Sequence, residues 1–115
     1  MAVYDLEDRT LKFALDVKKF TRSLPRTIEN NEYIKQLIRA SASVGANYIE
    51  ANESLGPNDK KMKIRISKKE SKESRFYSGL VETDNTKAHE DERKYLVNEA
   101  TELMSIFGAI LKKLN

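Results

Sequence analysis

The sequence contains no cysteine and no tryptophan, and has one histidine, two prolines and four glycines in 115 residues. Without thiols there can be no disulfide, no thiolate nucleophile and no Cys-ligated metal, a usage expected of a chain that works in a reducing cytoplasm. So little proline and glycine provides few turns, which disfavours a sheet protein built from hairpins. No apolar run approaches the roughly 20 residues that a membrane-spanning helix needs. The opening "MAVYDLEDRT" also lacks the basic-then-apolar pattern of a secretory leader. The expectation is a cytoplasmic chain with no membrane segment.

What is abundant is charge, at 34% of residues against 8% aromatics, a composition that favours helices. The length suits one domain, residues 1–115. A net charge of +3 says little about partners, but its distribution says more: Asn58 to Arg75 holds eight cations and three acids, a net of +5, which leaves the rest at −2.

Four segments carry a helical period. In residues 5–24, Leu6, Thr10, Phe13, Val17, Phe20 and Leu24 step by four and three, and Pro25 stops the pattern. In residues 30–55 the seam is Ile34, Leu37, Ser41, Val44, Tyr48, Ala51 and Leu55. Asn30 or Asn31 is expected to cap its start, and a left-handed Gly56 followed by Pro57 to close it. Residues 58–83 are ambiguous, because "KMKIRIS" alternates at a period of two as a strand would. The following "KKESKESRFYSGLVE" lacks β-branched residues and turn signals, so a helix capped by Asp59 is expected, with Lys69 and Glu73 on its seam between Ile66 and Phe76. In residues 88–114, Leu96, Ala100, Leu103, Phe107, Ile110 and Leu114 form the clearest seam, with acids in the first turn and Lys112 and Lys113 in the last. Short connections predict an all-α, antiparallel up-down-up-down four-helix bundle.

The second segment carries Ile38, Ala42, Gly45 and Ile49 on one side and Ala40, Ser43, Ala46, Asn47 and Glu50 on the other. Small residues admit a close neighbour, and buried Asn and Glu need partners. The expectation is a helix packed on two sides, inside its bundle and against another molecule, with Arg39, Ser43, Asn47, Glu50 and Glu73 forming a structural polar network or an interface. On that reading Glu50→Ala should unfold or dissociate the protein.

The stretches "QLIRASASVGANYIEA" and "KKESKESRFY", followed by a long C-terminal amphipathic segment, resemble the four-helix-bundle family of proteins encoded in intervening sequences of bacterial 23S rRNA genes. That family is related to the accessory variability protein of diversity-generating retroelements. The resemblance implies a bundle assembled as a ring, usually a homopentamer, with a basic surface directed at nucleic acid. The sequence departs from the pattern where Ser78 and Gly79 follow Phe76 and Tyr77.

Lys61, Arg65, Lys68, Lys72 and Arg75 step by four and three along one stripe of the third segment, an arrangement that can neutralise a row of phosphates. The plainer reading is a solvated face with Glu70 and Glu73 as ion-pair partners. Arg39, Asn47, Glu50, Glu73 and Arg75 could be read as catalytic, but a network fixing helix register accounts for them more simply. His89 stands near a helix start with Thr86, not Glu, three residues before it, so the Glu-x-x-His of di-iron bundles is absent. With no Gly-rich phosphate loop and no supported Ser, His and Asp arrangement, neither enzymatic activity nor a cofactor or metal is expected. Tyr4, Tyr33, Tyr48, Phe76, Tyr77 and Tyr95 could stack on bases, though core or interface positions suit most of them. Two functions remain: an oligomeric bundle that binds RNA or DNA backbone, or a protein-interaction scaffold or accessory subunit, for example of a reverse transcriptase, without direct nucleic-acid binding.

Overall fold

The seam of the first segment folds as its period predicts. In a computed structural model, which describes residues 3–115 and side chains from Asp5 onward, helix α1 (Val3–Thr21) buries Leu6, Thr10, Phe13, Val17 and Phe20. It ends three residues short of the expected Leu24, because a residue before proline is disfavoured in the helical region. Leu24 nevertheless fills the core from the connecting turn.

Helix α2 (Ile28–Asn52) is capped by Thr27, whose hydroxyl accepts from the Asn30 amide at 3.1 Å. Asn30 is therefore no cap. Its side chain is buried and donates to the carbonyls of Pro25 (2.8 Å) and Glu82 (3.0 Å) while accepting from the Glu82 amide (2.7 Å), tying two loops at one end of the bundle. At the other end Gly56 is extended (φ −162°) and serves as the N-cap of α3, not as a left-handed stop to α2. Leu55 lies outside α2 and fully in water.

Helix α3 (Pro57–Leu80) confirms the helical reading of Met62 to Ser67, and begins at Pro57 with Asp59 in its first turn. Its seam differs from expectation. The buried line is Ile64, Ser67, Ser71, Ser74 and Ser78, while Lys69 and Phe76 are exposed and Glu73 is half-buried. Serine is small enough for neighbouring helices to approach closely, and its hydroxyl can be satisfied on nearby carbonyls. Ser67 donates to Val44 O at 2.9 Å, and Ser71 and Ser74 donate to carbonyls one turn back at 2.8 Å. The Ser78 hydroxyl is buried without a hydrogen-bond partner among the described residues. The helix continues through Gly79, and Arg93 donates to the Ser78 and Gly79 carbonyls at 3.0 and 2.8 Å.

Helix α4 (Lys87–Leu114) starts at a Thr86 cap and buries Leu96, Ala100, Leu103 and Phe107, with Ile110 and Leu114 half-buried. Each helix packs on its sequence neighbours and α1 packs on α4, closing the ring, while long core side chains such as Tyr48 of α2 and Phe107 of α4 meet across its diagonal. The protein is thus an all-α antiparallel four-helix bundle, 45 × 25 × 19 Å. Burying each of the large core side chains contributes about 1.5–3 kcal/mol.

Candidate functional site

On α3 the acids and the cations leave the seam in opposite directions. Glu70 and Glu73 turn toward α2, where Arg39 reaches both, at 3.1 and 3.3 Å. Glu70 is only 6% exposed, so its desolvated carboxylate depends on that partner. Glu50 also faces α3 and pairs with Lys63 at 3.0 Å, but its side chain is 55% exposed, too wet for the buried pair the sequence suggested. Asn47 donates to Ser43 O at 2.9 Å. Arg39, Ser43, Asn47, Glu50 and Glu73 therefore lie along the α2–α3 contact within one chain, in three separate interactions. Sequence reasoning missed Glu70 as the buried member. Its position one residue from the seam serine Ser71 was the available signal, obscured by the wrong register.

The cations of the predicted stripe leave the seam on the α4 side. Arg65, Lys68 and Lys72 are exposed, and Lys61 and Arg75 half-buried. Among the described residues none of these five has a carboxylate within 4 Å, because Glu70 and Glu73 are taken by Arg39 and, at 3.7 Å, by Lys69. Lys68 lies beside Gly108, its Nζ 3.7 Å from where a Cβ would stand. Lys68, Met104, Ser105, Gly108, Ala109 and Lys112 line an open cleft between α3 and α4. Lys112, read from sequence as a complement to the helix dipole, thus joins the row.

The aromatic residues separate by burial. Tyr48 is in the core, 5.7 Å from Phe107, and Tyr33 and Tyr77 are half-buried against it. Tyr95 is exposed, with Lys12 Nζ 5.2 Å from its ring centre. Phe76 is 62% exposed. The side chain of Tyr4 lies outside the described residues.

Folding also assembles a chain of bonds that the sequence hid across 66 positions: Ser23 Oγ lies 2.8 Å from His89 Nε2, and His89 Nδ1 lies 2.6 Å from Asp84 Oδ1. Hydrogen bonding to Asp84 raises the His89 pKa, and the same bond lowers Asp84 to about 2. Ser23 and Asp84 are exposed, and Asp84 also accepts from the Thr86 amide and hydroxyl. The arrangement fastens the end of α1 to the α3–α4 loop. Among the described residues, no group of three or more His, Asp or Glu side chains is placed to hold a metal ion, and no helix is long and apolar enough to cross a membrane.

The family described as 23S rRNA-intervening sequence protein matches residues 4–109. The chain belongs to that family. The chain shares the bundle with a crystal structure of a protein of unknown function, from the S23 ribosomal protein family of Bacteroides thetaiotaomicron. It is 23% identical to this chain, with a TM-score of 0.77 over 96% of this chain and 99% of that one. No curated protein sequence matches the chain. At that identity the likeness extends to the fold alone.

Proposed function

We propose that this protein is a non-enzymatic, self-associating bundle that binds the backbone of RNA or DNA through Lys61, Arg65, Lys68, Lys72 and Arg75. One observation carries the reading: the two acids that could neutralise the row turn to the opposite side of α3 and engage Arg39, leaving five cations without carboxylate partners among the described residues. At 1.5 Å per residue the row is about 21 Å long, and every member is a cation suited to phosphate oxygens, contacts that carry no sequence information. Binding is therefore sequence-independent and salt-dependent. Five phosphate contacts give a slope of log K against log salt of about −4.5 on duplex or about −3.5 on single strands.

Self-association rests on the opposite side of the bundle. Thr10 of α1 packs against Gly45 of α2, so closely that a Cβ at Gly45 would stand 2.8 Å from its hydroxyl. Beside that contact Leu11 and Leu15 on α1 and Ile38 and Ile49 on α2 are exposed. Copies joined through α1 and α2 would turn their cation rows outward and multiply them. A homopentamer is the assembly that the family resemblance implies, and the cytoplasm is where a cysteine-free chain is expected to work.

The same apolar side chains favour a second reading, an accessory scaffold that recruits another protein, such as a reverse transcriptase. Replacing Lys61, Lys68 and Lys72 together with Glu separates the two. Loss of filter-retained RNA and DNA at low salt, with unchanged mass by light scattering, supports backbone binding; unchanged retention, or no retention by the parent protein, leaves the scaffold.

A further inference from the structure

Phe76 contradicts the usual logic of an amphipathic helix. It lies inside α3, yet most of its ring is in water. The ring is not loose: it meets the Tyr77 ring edge-on, with centroids 5.2 Å apart and planes at 80°, and Tyr77 is packed against the core. Stepping back along the helix by four, three and four residues from Phe76 gives Lys72, Lys69 and Arg65, so the aromatic ring extends a line of cations on the outward face. Three residues beyond Phe76, Gly79 has nothing within 4 Å of its Cβ position, and the surface past the ring is open.

We propose that Phe76 is a stacking platform for an unpaired base, with Lys72 holding the adjoining phosphate, so that the nucleic acid preferred by this face is a single strand or a loop. This rests on the backbone-binding reading above and specifies its ligand. Every base has a π-face and stacks without regard to sequence, whereas the bases of a duplex are already stacked and offer an exposed ring nothing. The charge pattern favours this occupant over an apolar protein surface, because burying Phe76 against protein would also desolvate Arg65, Lys69 and Lys72 without supplying anions. Anchoring on Tyr77 reduces the ordering cost of binding.

The test is fluorescence anisotropy of the full chain with a labelled single-stranded oligonucleotide and with the same strand in a duplex. The proteins compared are the parent, Phe76→Ala, Phe76→Tyr and the Lys61, Lys68 and Lys72 to Glu triple variant. Phe76→Ala should weaken single-strand binding about 5- to 150-fold, the range of one base–aromatic stack. Duplex binding should stay within about twofold and the salt slope should not change, since no phosphate contact is removed. Phe76→Tyr should restore single-strand binding. An unchanged single-strand affinity in Phe76→Ala, or equal losses on both probes, overturns the platform. So does a fall in solution mass, which would place the ring in a protein contact. If Phe76→Ala is silent while the triple variant loses both probes, the platform alone fails. A parent protein that binds neither probe removes the backbone-binding reading as well.

Discussion

Removing Arg39 and removing Glu70 should have unequal effects, although the two side chains form one ion pair. Glu70 is 6% exposed, whereas the Arg39 side chain is 48% exposed and also reaches Glu73 at 3.3 Å and Gln36 at 3.3 Å. Arg39→Ala leaves a desolvated carboxylate on α3 with no cation, a loss of about 3–5 kcal/mol if the carboxylate stays buried. Glu70→Met leaves an arginine that keeps Glu73 and can turn to water, while an apolar group of similar volume fills the space. Such replacements are commonly neutral or stabilising, and because most of the remaining pairing is wet, a change within about 1 kcal/mol is expected. Urea titrations followed by circular dichroism would report both, as shifts in midpoint at constant m. Equal midpoints for the two variants, or a larger loss in Glu70→Met, would refute the claim that the cost resides in the stranded carboxylate. Glu50→Ala is the control: within one chain its exposed pair with Lys63 should contribute at most about 1 kcal/mol, against the unfolding or dissociation expected from the sequence.

Glycine substitutions should shift melting temperature in opposite directions. At Gly45 a Cβ would stand 2.8 and 3.1 Å from Thr10 Oγ1 and Cβ, an overpacking of about 1–3 kcal/mol that exceeds the gain in helix propensity of about 1 kcal/mol; at Gly79 the space is open and Ala should stabilise α3 by up to about 1 kcal/mol. Asn30→Ala strands the Pro25 and Glu82 carbonyls and the Glu82 amide, costing about 2 kcal/mol or more, and hydrogen exchange should show both loops opening together. The His89–Asp84 bond makes stability depend on pH with a definite sign. His89 is raised from 6.5, so its contribution is complete below that value and lost as pH rises through the folded pKa. Asp84 is lowered from 3.8 to about 2, so its contribution is complete above 3.8 and lost as pH falls toward 2. Melting profiles of the parent and of His89→Gln should therefore differ most between about pH 4 and 6.5, and a difference that grows above pH 7 would contradict this assignment.

The sequence made α1, α2 and α4 legible because their seams consist of large apolar side chains at helical spacing, and periodicity reads those directly. It failed on α3 for a physical reason. The buried line there is Ile64, Ser67, Ser71, Ser74 and Ser78, and serine is ordinarily polar surface. Met62, Ile66 and Phe76 carried the hydrophobic signal, yet Met62 and Phe76 are exposed and Ile66 is half-buried. The spacing of the five cations is internal to the helix and does not depend on the register of the seam. The polar network did not survive as one cluster, since assigning Glu70 to the seam's flank requires the serine register. Asn30 and the Ser23–His89–Asp84 chain depend on loops meeting across the bundle, which no local pattern encodes.

The serine seam also explains why the charges of α3 separate. A seam of small side chains brings the backbones close, so the residues one step to either side run alongside a neighbouring helix. The α2 flank contains Lys63, Ile66, Glu70, Glu73 and Tyr77, and it meets Arg39 and Glu50, each of which finds an opposite charge there. The α4 flank contains Lys61, Arg65, Lys68, Lys72 and Arg75, and the part of α4 lining the cleft with Lys68 offers Met104, Ser105, Gly108, Ala109 and Lys112, with no acid among them. Had α4 carried carboxylates at Ser105 or Gly108, the row would be an ordinary interhelical ion-pair ladder. A Ser105→Glu substitution should therefore weaken nucleic-acid binding and reduce its salt slope by about 1 while leaving the melting temperature unchanged or raised. Undiminished binding would show that the affinity arises elsewhere on the bundle.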